Sequence, residues 1–179
     1  MKSLIIYWSG TGNTKKVAET IHNTLQASGI NSSLKRVEEA KDEDLYAYEL
    51  VFIGAPSFMW QPPAPILEYV KEKMDYYRKR GDIKLCAPKV PGKNAIVFVT
   101  YSGPHTGISE AIPVGKYLGQ FFEHLGFELA GEWYIVGEFH GSKENSTKGS
   151  LGDIRGRPNN QDLDNIVRDV NELLKAINS

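Results

Sequence analysis

The residues best suited to chemistry lie near the N-terminus, where Ser9-Gly10-Thr11-Gly12-Asn13-Thr14 interleaves three hydroxyls with two glycines just ahead of a helical stripe. A helix N-terminus exposes unpaired N–H groups and carries roughly half a positive charge, so this is a place for an anion. Gly10 and Gly12 let the backbone curl close to it, and Ser9, Thr11 and Thr14 add neutral donors. No lysine or arginine falls within the hexamer. Neutral donors alone suit one phosphomonoester better than a triphosphate with magnesium.

Counting removes the rival phosphate motifs. A dinucleotide fingerprint needs glycine three places after Gly12, and Lys15 stands there. A Walker loop needs Gly-Lys after a four-residue gap from Gly10, where the chain has Lys15-Lys16. A receiver domain would need acidic residues after its first strand, and Ser9-Gly10 is found instead. A cysteine phosphatase needs arginine six places after its nucleophile; Gly92 follows Cys86 at that distance. Mononucleotide binding is what survives.

Positioning such a loop takes a strand before it and a helix after it, and both are legible. Short β-branched and aromatic runs at Leu4–Trp8, Ser33–Val37, Leu50–Gly54, Ala95–Tyr101 and Trp133–Val136 alternate with segments of helical period. Val17, Ile21 and Leu25 stripe a helix over Thr14–Ser28; Ile66, Val70 and Met74 mark a second beginning at Pro65. Val114, Leu118, Phe121 and Leu125 mark a third, and Ile166, Val170, Leu173 and Ile177 the last, with Asp162 in its first turn. A short helix around Glu39–Ala47 is a further expectation. The order βαββαβαβα predicts an α/β fold with a doubly wound parallel sheet, covered on both faces.

The chain has 179 residues, 41% hydrophobic and 24% charged, with a net charge of −1. That balance advertises neither a nucleic-acid surface nor an acidic tail, and the length predicts one domain over 1–179. Cys86 is the only cysteine, which excludes an internal disulfide and fits a reducing, cytoplasmic setting. Neither a signal peptide nor a membrane span is expected. Residues 137–161, rich in glycine, serine and asparagine without apolar period, break the pattern. Loops of that length are functional or mobile. This one leaves the fifth strand on the ligand side, so it is expected to shield the ligand or form a contact.

The motif Ser9-Gly10-Thr11-Gly12-Asn13-Thr14 after the first strand resembles the phosphate loop of the flavodoxin family. Gly54-Ala55-Pro56-Ser57-Phe58 after the third strand and Thr100-Tyr101-Ser102-Gly103 after the fourth stand where that family puts its flavin-contacting loops. The resemblance implies a flavodoxin-like five-stranded sheet of order 2-1-3-4-5 that holds FMN at the carboxyl ends of its strands. It spans the chain apart from 137–161, and Gly156-Arg157-Pro158-Asn159-Asn160 looks more like the flavodoxin-like oxidoreductases than the short carriers.

Independently, ligands of open α/β sheets sit outside the carboxyl ends of the strands. The expected cofactor-binding set is Ser9, Gly10, Thr11, Gly12, Asn13, Thr14, Pro56, Ser57, Phe58, Met59, Trp60, Thr100, Tyr101, Ser102, Gly103 and His105. Phe58, Met59, Trp60 and Tyr101 supply faces for a flat ring, with Trp60 or Tyr101 expected to stack on it. His105, Glu110 and His140 are the titratable groups nearby; Lys148, Arg155 and Arg157 could meet a phosphate or a pyridine nucleotide. No glycine falls between Ala55 and Ala64, so positive φ is expected to be resisted there, which favours two-electron over one-electron chemistry.

Three functions follow. The first is an FMN-dependent electron carrier between redox partner proteins. The second is an NAD(P)H-dependent FMN reductase acting on quinones or other small-molecule acceptors, and the third a non-redox FMN-binding or regulatory module. No catalytic side chain and no metal ligand is nominated, and homo-oligomerisation is left open.

Overall fold

A computed structural model describes residues 1–177. Strands β1 (Lys2–Tyr7), β2 (Asn31–Arg36), β3 (Leu50–Pro56), β4 (Asn94–Tyr101) and β5 (Glu128–Val136) form one sheet, wholly parallel, in the order β2-β1-β3-β4-β5. The helices are α1 (Asn13–Ala27), α2 (Ala64–Arg80), α3 (Ile112–His124), α4 (Lys143–Lys148) and α5 (Asn160–Ile177).

Strand side chains alternate between faces, and both faces are buried, which is why the strands read as continuous apolar runs. Leu4, Ile6, Val51, Ile53, Val97 and Val99 turn to one side, where Ile66 and Val70 of α2 and Val114, Leu118 and Phe122 of α3 meet them. Ile5, Leu50, Phe52, Ile96 and Phe98 turn to the other, against Val17, Ile21 and Leu25 of α1 and Ile166, Val170 and Leu173 of α5. Each fully buried Leu, Ile or Phe contributes about 1.5–3 kcal/mol relative to exposure. The carboxyl ends of the strands are thereby held as a rigid rim. Asn159 and Asp162 exchange bonds at the start of α5, Asn159 N–H to the carboxylate (2.8 Å) and Asp162 N–H to the Asn159 side chain (3.1 Å).

At four places the structure departs from the expectations or completes them. Around Glu39–Ala47 there is not one helix but two 3₁₀ turns, Val37–Glu39 just before it and Leu45–Ala47 at its end. Strand β5 begins five residues before Trp133, because pairing with β4 recruits backbone whose Ala130 and Gly131 carry no strand signal; the register shifts there. Helix α2 runs past Met74 to Arg80, anchored by buried Tyr77, whose hydroxyl accepts from Leu45 N–H at 2.7 Å, and capped by Gly81 in the left-handed region. The 137–161 excursion is not structureless: it holds α4, and Ser146 within it is buried. Among the described residues no helix is long and apolar enough to cross a membrane.

Candidate functional site

The loops leaving β1, β3 and β4 converge on one cavity of about 670 Å³, and the segment after β5 closes its fourth side. Fifteen of the sixteen nominated residues line it: Ser9, Gly10, Thr11, Asn13, Thr14, Pro56, Ser57, Phe58, Met59, Trp60, Thr100, Tyr101, Ser102, Gly103 and His105. The exception is Gly12. It stands at the N-cap of α1 with φ +101°, shaping the turn rather than facing the cavity.

No side chain caps α1. Its first helical bond is Lys16 N–H to Gly12 C=O, so the N–H groups one turn earlier are left to a ligand. Ser9 Oγ accepts from Gly12 N–H at 3.1 Å, which leaves the Ser9 proton free to donate. Buried Thr14 shares a 2.7 Å bond with Thr100 across the floor of the cavity. One hydroxyl proton makes that bond, and the other is spare. Uncapped N–H groups, spare hydroxyl protons and a lining without lysine or arginine fit a phosphomonoester.

The aromatic wall is built differently from expectation. Phe58 and Gln61 exchange two backbone bonds (2.9 and 3.0 Å), forcing Met59 (φ 46°) and Trp60 (φ 65°) both into the left-handed region. Positive φ is thus imposed on non-glycine residues, because the small bridge over-determines the turn. The left-handed conformation costs roughly 1–2 kcal/mol per residue, and Met59 is 83% exposed, so no packing offsets it there. Met59→Gly is expected to stabilise the protein by about 0.5–1 kcal/mol after the entropy cost of glycine. A chemical-denaturation midpoint shifted downward would contradict this strain.

Beneath that turn lies Trp8, edge-on to Phe58 at 5.7 Å and so close to Gly10 that a Cβ there would sit 3.0 Å from the indole. Trp8 ties the phosphate loop to the aromatic turn, a role masked by its place at the end of an apolar run. Tyr101 is buried, and burial pushes its phenol up, with Arg157 pulling back. Trp60 is exposed.

Glu110 is engaged through one oxygen of its carboxylate. It accepts from the backbone N–H groups of His105 (2.8 Å) and Thr106 (2.7 Å), while its own carbonyl accepts from Ser57 Oγ at 2.5 Å. It therefore staples the β4–α3 connection to the β3–α2 loop across the cavity. Gly103 (φ +48°) shapes the same connection; a Cβ there would sit 2.5 Å from Gly107 C=O. Lys148, Arg155 and Arg157 do not line the cavity and pair instead with Glu144, Asp153 and Asp162.

Sequence reasoning missed Pro104, Thr106, Glu138, Phe139, Gly141 and Asn145 as lining residues. Phe139, the one aromatic residue between 137 and 161, was the available signal.

Residues 4–86 match the family model described as a flavodoxin domain. The flavodoxin of Megasphaera elsdenii is 34% identical over 97 residues, 54% of this chain and 63% of that protein. Over its N-terminal half the chain is thus similar to the flavodoxin family. A flavodoxin-like domain-containing protein of Clostridioides difficile, BilS, is 45% identical over 56 residues, 30% of each chain. Both matches span less than two thirds of the relative's length. In fold, the chain superposes on oxidised flavodoxin 2 of Bacillus cereus with a TM-score of 0.69, at 17% identity, over 98% of this chain and 99% of that one. The parallel order 2-1-3-4-5 implied by the family resemblance is the order found.

Proposed function

We propose that the chain binds FMN and carries electrons between redox partner proteins in the cytoplasm, with residues 1–179 acting as one flavodoxin-like domain. The observation that carries this reading is the single cavity in which an uncapped, hydroxyl-lined helix N-terminus and an aromatic turn face one another. Bound FMN supplies reversible one- and two-electron chemistry at its ring.

The protein's part is binding, orientation and access. Asn13 and Thr14 at the first turn of α1, with the hydroxyls of Ser9, Thr11 and Thr14, hold the phosphate. Trp60 and Phe58 on one side and Tyr101 on the other take the faces of the ring, with Pro56 and Ser57 along its polar edge. Thr100, Ser102, Gly103 and His105 form the remaining wall. Glu110 keeps that wall in place through Ser57, His105 and Thr106.

Phe58 (49%), Met59 (83%) and Trp60 (58%) leave an apolar edge open at the cavity mouth. An exposed apolar cluster at the rim of a site suits brief contact with another protein. The net charge of −1 supplies little long-range steering.

The purified protein is expected to be yellow, and its released cofactor to have the mass of FMN and not FAD. A colourless protein that takes up no FMN at micromolar concentration would overturn the reading. Steady NAD(P)H oxidation with a quinone and no protein partner would replace the carrier by a reductase.

A further inference from the structure

An ionisable donor on the segment after β5, His140, stands beside the neutral phosphate cradle. His140 Nε2 lies 3.3 Å from Asn13 Oδ1, and Asn13 is the first residue of α1. The tautomer follows from the neighbouring bond. Asn13 Nδ2 donates to Glu138 C=O at 3.0 Å, so its Oδ1 is an acceptor and the imidazole nitrogen facing it carries a proton.

The segment bearing His140 is built onto the site. Gly137 N–H donates to Tyr101 C=O at 2.8 Å, and Ser102 Oγ donates to Gly137 C=O at 2.8 Å. A Cβ at Gly137 would come within 2.6 Å of Asn13 Nδ2, so only glycine allows so close a crossing. Beyond it, Phe139 N–H donates to Ser146 Oγ (3.1 Å), which donates back to Phe139 C=O (3.0 Å) from within α4. The histidine is thereby pinned from both sides while its ring lines the cavity with Ser9, Thr11 and Thr14.

Resting on the FMN reading above, we infer that His140 is a cationic clamp for the terminal phosphate. Its Nε2–H exchanges Asn13 Oδ1 for a phosphate oxygen when the ligand binds. The surrounding charges leave this role open. On its own segment, Glu138 accepts from Gly156 N–H at 2.7 Å. In α4, Glu144 pairs with Lys148, and Lys143 is exposed; in α1, Lys15 pairs with Glu19, and Lys16 is exposed. Across the cavity, Glu110 is held by the N–H groups of His105 and Thr106, and Arg157 pairs with Asp162.

A phosphomonoester loses its second proton near pH 6, and an unperturbed imidazole titrates near 6.5. A cationic imidazole binds that anion more strongly than a neutral donor does, and the advantage disappears when the ring is neutral.

The test is fluorescence titration of the protein and of His140→Gln with FMN and with riboflavin, at about pH 6 and about pH 9. Glutamine keeps a neutral donor at both pH values. The ratio of the two proteins' dissociation constants also cancels the phosphate's own protonation. At the lower pH the variant is expected to bind FMN roughly tenfold or more weakly, the scale of a charge-assisted bond; at the higher pH the ratio falls towards one. Riboflavin, which lacks the phosphate, is expected to give a ratio near one throughout. Equal losses for both ligands would reduce His140 to a fastener of its segment, and a ratio independent of pH would remove the cationic role. Wild-type protein that binds riboflavin no more weakly than FMN, or binds neither, would refute the underlying placement of the phosphate instead.

Discussion

Thr14→Val weakens FMN by about 1.5–3 kcal/mol, roughly 10- to 150-fold, while riboflavin binding changes far less. The substitution keeps the volume of a buried side chain and removes only its hydroxyl. Two losses then act together. The spare proton of the Thr14–Thr100 pair no longer reaches the phosphate, and Thr100 Oγ1 is left in the cavity floor without the partner it has at 2.7 Å. Thr14→Ser restores a hydroxyl and is expected to recover most of the affinity. If valine and threonine bind FMN equally, the phosphate does not sit at the start of α1.

Gly103→Ala is expected to cost about 2 kcal/mol of stability and at least tenfold in FMN affinity. The residue has φ +48°, and an added Cβ would meet Gly107 O at 2.5 Å and Gly107 C and Cα at 2.8 Å. All three are backbone atoms, so the turn itself must open. Opening it moves the connection that carries His105 and Thr106 off the Glu110 carboxylate and loosens the wall behind Tyr101. Thermal unfolding and FMN titration of the same variant check the two parts; an unchanged melting temperature would mean that the connection adapts without strain.

How much of this was legible in the sequence depended on how local the cause was. The strand–loop–helix turn at Ser9 to Thr14 could be read because its requirements, small residues and hydroxyls between a strand and a helix, fall within six consecutive positions. The sheet could be read because doubly covered strands are apolar throughout, and Leu4 to Tyr7 or Val51 to Ala55 leave little other choice. The first half of β5 could not, since Ala130 and Gly131 become strand only by pairing with β4.

The turn at Met59 and Trp60 defied a local rule. Positive φ there is dictated by bonds between Phe58 and Gln61 and not by residue preference. The contribution of Phe139 and His140 was the hardest to see. Nothing in a glycine- and serine-rich stretch says that it folds back onto a helix end from more than 120 residues earlier in the chain, and the decisive feature, the absence of a side chain at Gly137 opposite Asn13, has meaning only in three dimensions. Trp8 belongs to the same class, an apolar residue at a strand end whose neighbours are loops.

On the proposed function, one cavity selects a flavin by its single phosphate and holds the ring against the aromatic turn. Isothermal titration of cofactor-free protein with FMN, riboflavin and FAD tests this directly. FMN is expected to bind at micromolar concentration or tighter, with one site per chain. Riboflavin is expected to bind about two orders of magnitude more weakly for want of the phosphate contacts, and FAD more weakly than FMN because no dinucleotide fingerprint follows β1. Riboflavin binding as tightly as FMN, or FAD preferred over both, would contradict it.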